Sequence, residues 1–200
     1  MYKQNYLKKS AISLSSKILK AEKNKSFFLK PYKHLFIDSA IDEDFANKCL
    51  KSFPKLNKKF WEKSNLKSIE IKYRTKWNSE FDIPESIVDL VRILNSSIIL
   101  KSLSKKFSIP KLMPDPYFSG GGLNITKRGG LLDVHVDGNY HDASSLNRRI
   151  NVILYFNKNW KDSWGGEFGI YENKGKKCVK KIPPLFNRFL AFDTHDYSYH

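Results

Sequence analysis

An α+β fold, a jelly roll supported on its outer face by N-terminal helices, is predicted by three observations. Apolar residues recur at helical spacing between residues 34 and 111. After about residue 112 the period changes to two, and turn residues punctuate short segments. Two helices precede these strands and none interrupts them, so the alternating βα units of a doubly wound sheet are absent from the pattern.

The elements follow in chain order. Residues 1–33 form a separate basic N-terminal arm or cap, expected to be solvated, although Ala11, Ile12, Leu14, Ile18 and Leu19 could line one face of a short helix. The domain proper spans 34–200, with a helical part (34–111) and a strand-rich part (112–200). His34–Asp38 reads as a strand. Ile41, Phe45 and Cys49 share one face of a helix that runs to about Lys51 and stops at Pro54. Ser68–Trp77 alternates as a strand. Pro84-Glu85-Ser86 opens a longer helix, Ile87 to about Phe107, with Ile87, Leu90, Val91, Leu94 and Ile98 on its apolar face. Short strands are expected at Leu123–Thr126, Leu131–Val136, Arg149–Phe156, Glu167–Tyr171, Cys178–Ile182 and Arg188–Phe192. They are separated by Gly120-Gly121-Gly122, Gly129-Gly130, Trp164-Gly165-Gly166 and Pro183-Pro184.

Composition excludes several classes. At 200 residues and 40% hydrophobic content, with 14% aromatics, the chain can bury a core and is neither disordered nor collagen-like. Two distant cysteines, Cys49 and Cys178, make neither a disulfide framework nor a cysteine-rich metal site. No run approaches the roughly 18 apolar residues of a membrane span. The N-terminus lacks the apolar stretch of a secretory signal, so a cytoplasmic location is expected. The net charge of +16 is uneven: residues 1–33 carry nine Lys and one acid, whereas residues 112–200 carry twelve basic and nine acidic residues. Lys outnumbers Arg thirty to six, which is a poor match to the bidentate Arg contacts of DNA readers. Nucleic acid is therefore a secondary candidate partner.

The chemistry-bearing signal is sparse. Among five histidines, His135 stands two residues before Asp137, so on a strand the two side chains share a face. An imidazole and a carboxylate there can take adjacent corners of a divalent ion. A further imidazole from a neighbouring strand would complete the two-histidine, one-carboxylate face of non-haem Fe(II) oxygenases, leaving positions open.

The motifs from about Gly120 to His200 extend this reading. GGLLDVHVD (129–137), RRINVILYFNKNW (148–160), WGGEF (164–168), PLFNRFLAF (184–192) and YSYH (197–200) stand in order. Together they resemble the prolyl 4-hydroxylase-like branch of the Fe(II)/2-oxoglutarate-dependent dioxygenases, whose fold is the double-stranded β-helix, or jelly roll. The resemblance implies that His135, Asp137 and His200 are the iron ligands. His195 is the competitor for the third place, and His141 is a substrate-side or solvent histidine. It implies 2-oxoglutarate contacts for Tyr155 and Asn151, with Fe(II), 2-oxoglutarate, O₂ and ascorbate as cofactors and cosubstrates. The expected activity is hydroxylation of a substrate C–H, in a prolyl residue of a peptide or a free amino acid, with decarboxylation of 2-oxoglutarate to succinate. The family pattern continues past the distal histidine to an Arg or Lys that pairs with the C5 carboxylate. The sequence given stops at His200, and a fragment truncated at the C-terminus is expected. Two alternatives are a non-catalytic jelly-roll binding module with a degenerate metal site, and a nucleic-acid-modifying oxygenase.

Overall fold

The computed structural model describes residues 3–57, 60–66, 69–75, 77, 79–118 and 121–200. Ser68 and Lys76 of the expected strand, and Gly120 of the expected turn, lie outside them. Helix α1 (Gln4–Lys20) is followed by β1 (Phe27–Phe28), β2 (His34–Ile37), α2 (Glu43–Lys51), β3 (Trp61–Leu66) and β4 (Glu70–Thr75). Helices α3 (Glu85–Leu94) and α4 (Ser97–Phe107) come next. The strands β5 (Asn124–Ile125), β6 (Leu131–Leu132), β7 (Tyr140–His141) and β8 (Leu146–Asn147) precede β9 (Ile150–Tyr155), β10 (Phe168–Glu172), β11 (Lys177–Ile182) and β12 (Arg188–Asp193).

The central sheet runs β1-β2-β12-β9, antiparallel throughout. Alternation divides its residues between two cores. Phe189 lies opposite Ile37 and Leu154, and Ala191 opposite Leu35 and Val152. These residues join the core that includes the buried faces of all four helices. On the other face Leu190 lies opposite Phe36 and Ile153, and Phe192 opposite His34 and Asn151. There Leu190 and Phe192 pack with Phe168, Ile170 and Ile182 of the β10–β11 hairpin. Two facing layers of strands with helices outside one of them are the arrangement that the sequence periodicity predicts.

Three expectations need correction. Residues 4–20 are not a solvated arm: Ala11, Leu14 and Ile18 are buried, and α1 packs on α3 and α4. The Lys-rich composition masks an apolar stripe at helical spacing, in which each fully buried Leu or Ile contributes about 1.5–3 kcal/mol. The long helix expected from Ile87 to Phe107 is two helices. α3 ends at Leu94, and Ser96 restarts the chain by accepting the Ile99 N–H at 3.4 Å as an N-cap. Of the expected strand Leu131–Val136, only Leu131–Leu132 forms a strand paired with β4; Asp133 and His135 go on with single backbone partners, Ile69 and His200. The remainder turns toward the C-terminal segment.

Candidate metal centre

His135 and His200 exchange both backbone hydrogen bonds: His135 N–H donates to the His200 carbonyl at 3.0 Å, and His200 N–H to the His135 carbonyl at 2.9 Å. This is the hydrogen-bonded pair of an antiparallel ladder, which directs the two side chains to one side. Their rings lie 4.4 Å apart, centroid to centroid. Asp137, two residues beyond His135, joins them. Its Oδ1 is 3.6 Å from His135 Nε2 and its Oδ2 is 3.8 Å from His200 Nε2. One ligand atom from each of the three residues lies within 4.8 Å of the others.

Both imidazoles are oriented the same way. His135 Nδ1 lies 2.8 Å from the Asp133 carbonyl, and His200 Nδ1 lies 2.9 Å from the Ser198 carbonyl. A carbonyl can only accept, so each Nδ1 donates, and each Nε2 is left with its lone pair toward the centre. Metal-bound histidines are commonly held this way. Asn151 donates its amide to Asp137 Oδ2 at 2.6 Å and fixes the carboxylate. The His200 ring stacks on Phe168 at 4.9 Å and contacts Phe192 at 4.7 Å. The Tyr32 hydroxyl and the Tyr171 N–H both donate to the Tyr199 carbonyl, tying the His200 segment to the barrel wall.

Electrostatics agree with a carboxylate held charged. Burial pushes the Asp137 carboxyl up, but the adjacent His135 and His200 imidazoles and the Asn151 amide outweigh it, and its pKa is lowered to about 2. His135 is raised, chiefly by the adjacent Asp137 carboxylate, whereas burial lowers His200.

The other sequence candidates lie elsewhere. His195 Nε2 pairs with Asp193 at 3.0 Å and stacks on Tyr197. His141 lies 3.5 Å from Asp115 and accepts from the Ser144 hydroxyl. Tyr155 is four residues along β9 from Asn151, on the same face, packed against the apolar layer of Leu190 and Phe168. Burial raises its hydroxyl pKa, against the opposing effect of Arg188. Asn151, expected to reach the cosubstrate, donates its amide to Asp137. Sequence reasoning missed the Asp133 and Ser198 carbonyls, because any residue can supply a carbonyl. It also missed the Phe168 and Phe192 walls, although both fall at inward positions of predicted strands.

Residues 121–200 match the family model of the 2OG-Fe(II) oxygenase superfamily. The fold is similar to a prolyl hydroxylase from Trichoplax adhaerens, solved in complex with a hypoxia inducible factor oxygen degradation domain peptide fragment. The TM-score is 0.65 at 18% identity, over 100% of this chain and 86% of that one. It is also similar to prolyl 4-hydroxylases from Phytophthora capsici, with a TM-score of 0.59 at 18% identity, over 97% of this chain and 59% of that one. The strand-rich part of the chain, which carries the three convergent side chains, is thus similar to the 2OG-Fe(II) oxygenases, the class of 2-oxoglutarate-dependent dioxygenases. Its fold is similar to that of the prolyl hydroxylases. The family implies Fe(II), 2-oxoglutarate and O₂, and a donor set of two imidazole nitrogens and one carboxylate oxygen suits Fe(II). Among the described residues no helix is long and apolar enough to cross a membrane.

Proposed function

We propose that His135, Asp137 and His200 hold Fe(II), and that the protein hydroxylates a C–H of a prolyl residue in a peptide, with a free amino acid as the narrower alternative. Bound Fe(II) with 2-oxoglutarate and O₂ supplies the oxidation, with succinate and CO₂ as co-products; ascorbate keeps the iron reduced. The observation that carries this reading is the convergence of three ligand atoms within 4.8 Å while both Nδ1 atoms are engaged by backbone carbonyls. The protein contributes orientation and dryness. Asn151 holds the rotamer of Asp137, the two backbone carbonyls set the imidazole tautomers, and Phe168 and Phe192 keep water from the His200 side. Tyr155, deeper on the same face, donates its hydroxyl to the C5 carboxylate of 2-oxoglutarate. Burial keeps that phenol protonated and able to donate.

The test is anaerobic addition of 2-oxoglutarate to the Fe(II)-loaded full-length protein, followed by O₂. A charge-transfer absorption dependent on both components, then succinate in proportion to enzyme turnover, is expected. Absence of the absorption in protein that has bound Fe(II) would contradict the cosubstrate assignment.

A further inference from the structure

β9 and β12 continue one step past their last ladder pair, where Thr194 N–H donates to the Arg149 carbonyl at 3.0 Å. Alternation puts Arg149 and Thr194 on the face that carries Asn151 and Phe192, which is the face of the metal centre. Both side chains are underused. Thr194 is 2% exposed and its Oγ1 has no hydrogen-bond partner; the Arg149 Nε is also buried without one. Among the described residues no carboxylate pairs with the Arg149 guanidinium, whereas Arg188 on the same sheet is paired with Asp38. An unmet buried donor is costly unless a ligand completes it, and here a hydroxyl and a half-buried guanidinium offer two side by side.

Their position selects the ligand. Arg149 is two residues from Asn151, about 7 Å along the strand, while Tyr155 lies four residues the other way. The pair therefore flanks the metal centre on the side away from Tyr155. A guanidinium fork and a hydroxyl, both donating, match a carboxylate. We propose that Arg149 and Thr194 read a carboxylate of the oxidised substrate, an acidic side chain adjacent in a peptide to the residue that is hydroxylated. This rests on the oxygenase reading above. The surplus of basic residues over the whole chain, net +16, favours the approach of such a peptide.

The test uses full-length protein loaded with Mn(II) and 2-oxoglutarate, so that binding is read without turnover. Two fluorescent peptides are compared by anisotropy: a proline flanked on both sides by Glu, and its Gln isostere. Wild type is expected to bind the Glu peptide about tenfold more tightly or better. Arg149→Gln should erase that preference and Thr194→Val should reduce it, with 2-oxoglutarate affinity, measured by calorimetry, unchanged in both. Equal affinity of wild type for the two peptides, or no measurable binding of either, overturns the proposal. So does an Arg149→Gln protein that keeps the preference but loses 2-oxoglutarate affinity, since the carboxylate read would then be the cosubstrate's. Failure of wild type to bind Mn(II) and 2-oxoglutarate at all would instead overturn the oxygenase reading beneath it.

Discussion

The two faces of the central sheet are built from alternate residues of the same strands, yet they differ in kind. Toward the helices β12 presents Phe189 and Ala191, opposite Leu35, Ile37, Val152 and Leu154, all apolar. Toward the β10–β11 hairpin it presents Leu190 and Phe192, but their neighbours include His34, Asn151 and Tyr155. The first face needs only volume and apolarity. The second tolerates polar side chains because each is held by a partner or waits for one: Asn151 has Asp137, and His34 has the Tyr32 carbonyl. The difference separates residues that stabilise the fold from residues that position chemistry, and substitutions can sort them.

The largest effect should fall on the helix side. Phe189→Ala removes a fully buried ring and is expected to cost about 3–5 kcal/mol in urea unfolding. The fraction that stays folded should keep its Fe(II) affinity. Leu14→Ala, in the helix that replaces the expected arm, should cost about 3 kcal/mol. A cost near zero would return α1 to the status of a detachable arm.

His34 offers a pH test of the other face. Burial, against the Tyr32 hydrogen bond and with Lys180 nearby, lowers its pKa to about 4. The unfolded chain therefore takes up the proton more readily than the folded one. The stability linked to His34 is fully present above about pH 6.5 and is lost as pH falls toward about 4, up to about 3 kcal/mol. Urea unfolding across this window should show the slope in wild type and a shallower one in His34→Leu.

The smallest effect on stability, and the most selective effect on the site, is expected at Asn151. Asn151→Ala frees the Asp137 carboxylate and should weaken Fe(II) binding about 10–100-fold, with little change in unfolding. If it weakened 2-oxoglutarate binding alone, Asn151 would be a cosubstrate contact, the role that the sequence resemblance implies.

Much of this division was legible beforehand. The alternation in residues 149–156 and 188–192 predicts β9 and β12, and the spacing of Ile41, Phe45 and Cys49 predicts α2 with its buried face. The pairing of His135 with Asp137 follows from a period of two, and motif order brought in His200. What escaped is what depends on long-range contact. The apolar spacing of Ala11, Leu14 and Ile18 was visible, but its burial in α1 depends on α3 and α4, which no local pattern reveals. The break at Ser96 is a single cap within an otherwise continuous apolar pattern. The Asn151–Asp137 bond joins residues 14 apart through a fold, not through a local period.

The central claim is that His135, Asp137 and His200 form one metal site, and anaerobic calorimetric titration with Fe(II) tests it directly. Wild type, His141→Ala and His195→Ala should each bind one Fe(II) with similar affinity. His135→Ala, Asp137→Ala and His200→Ala should not bind it while remaining folded by circular dichroism. Wild-type-like Fe(II) affinity in Asp137→Ala, or its loss in His195→Ala with His200→Ala unaffected, would contradict the account.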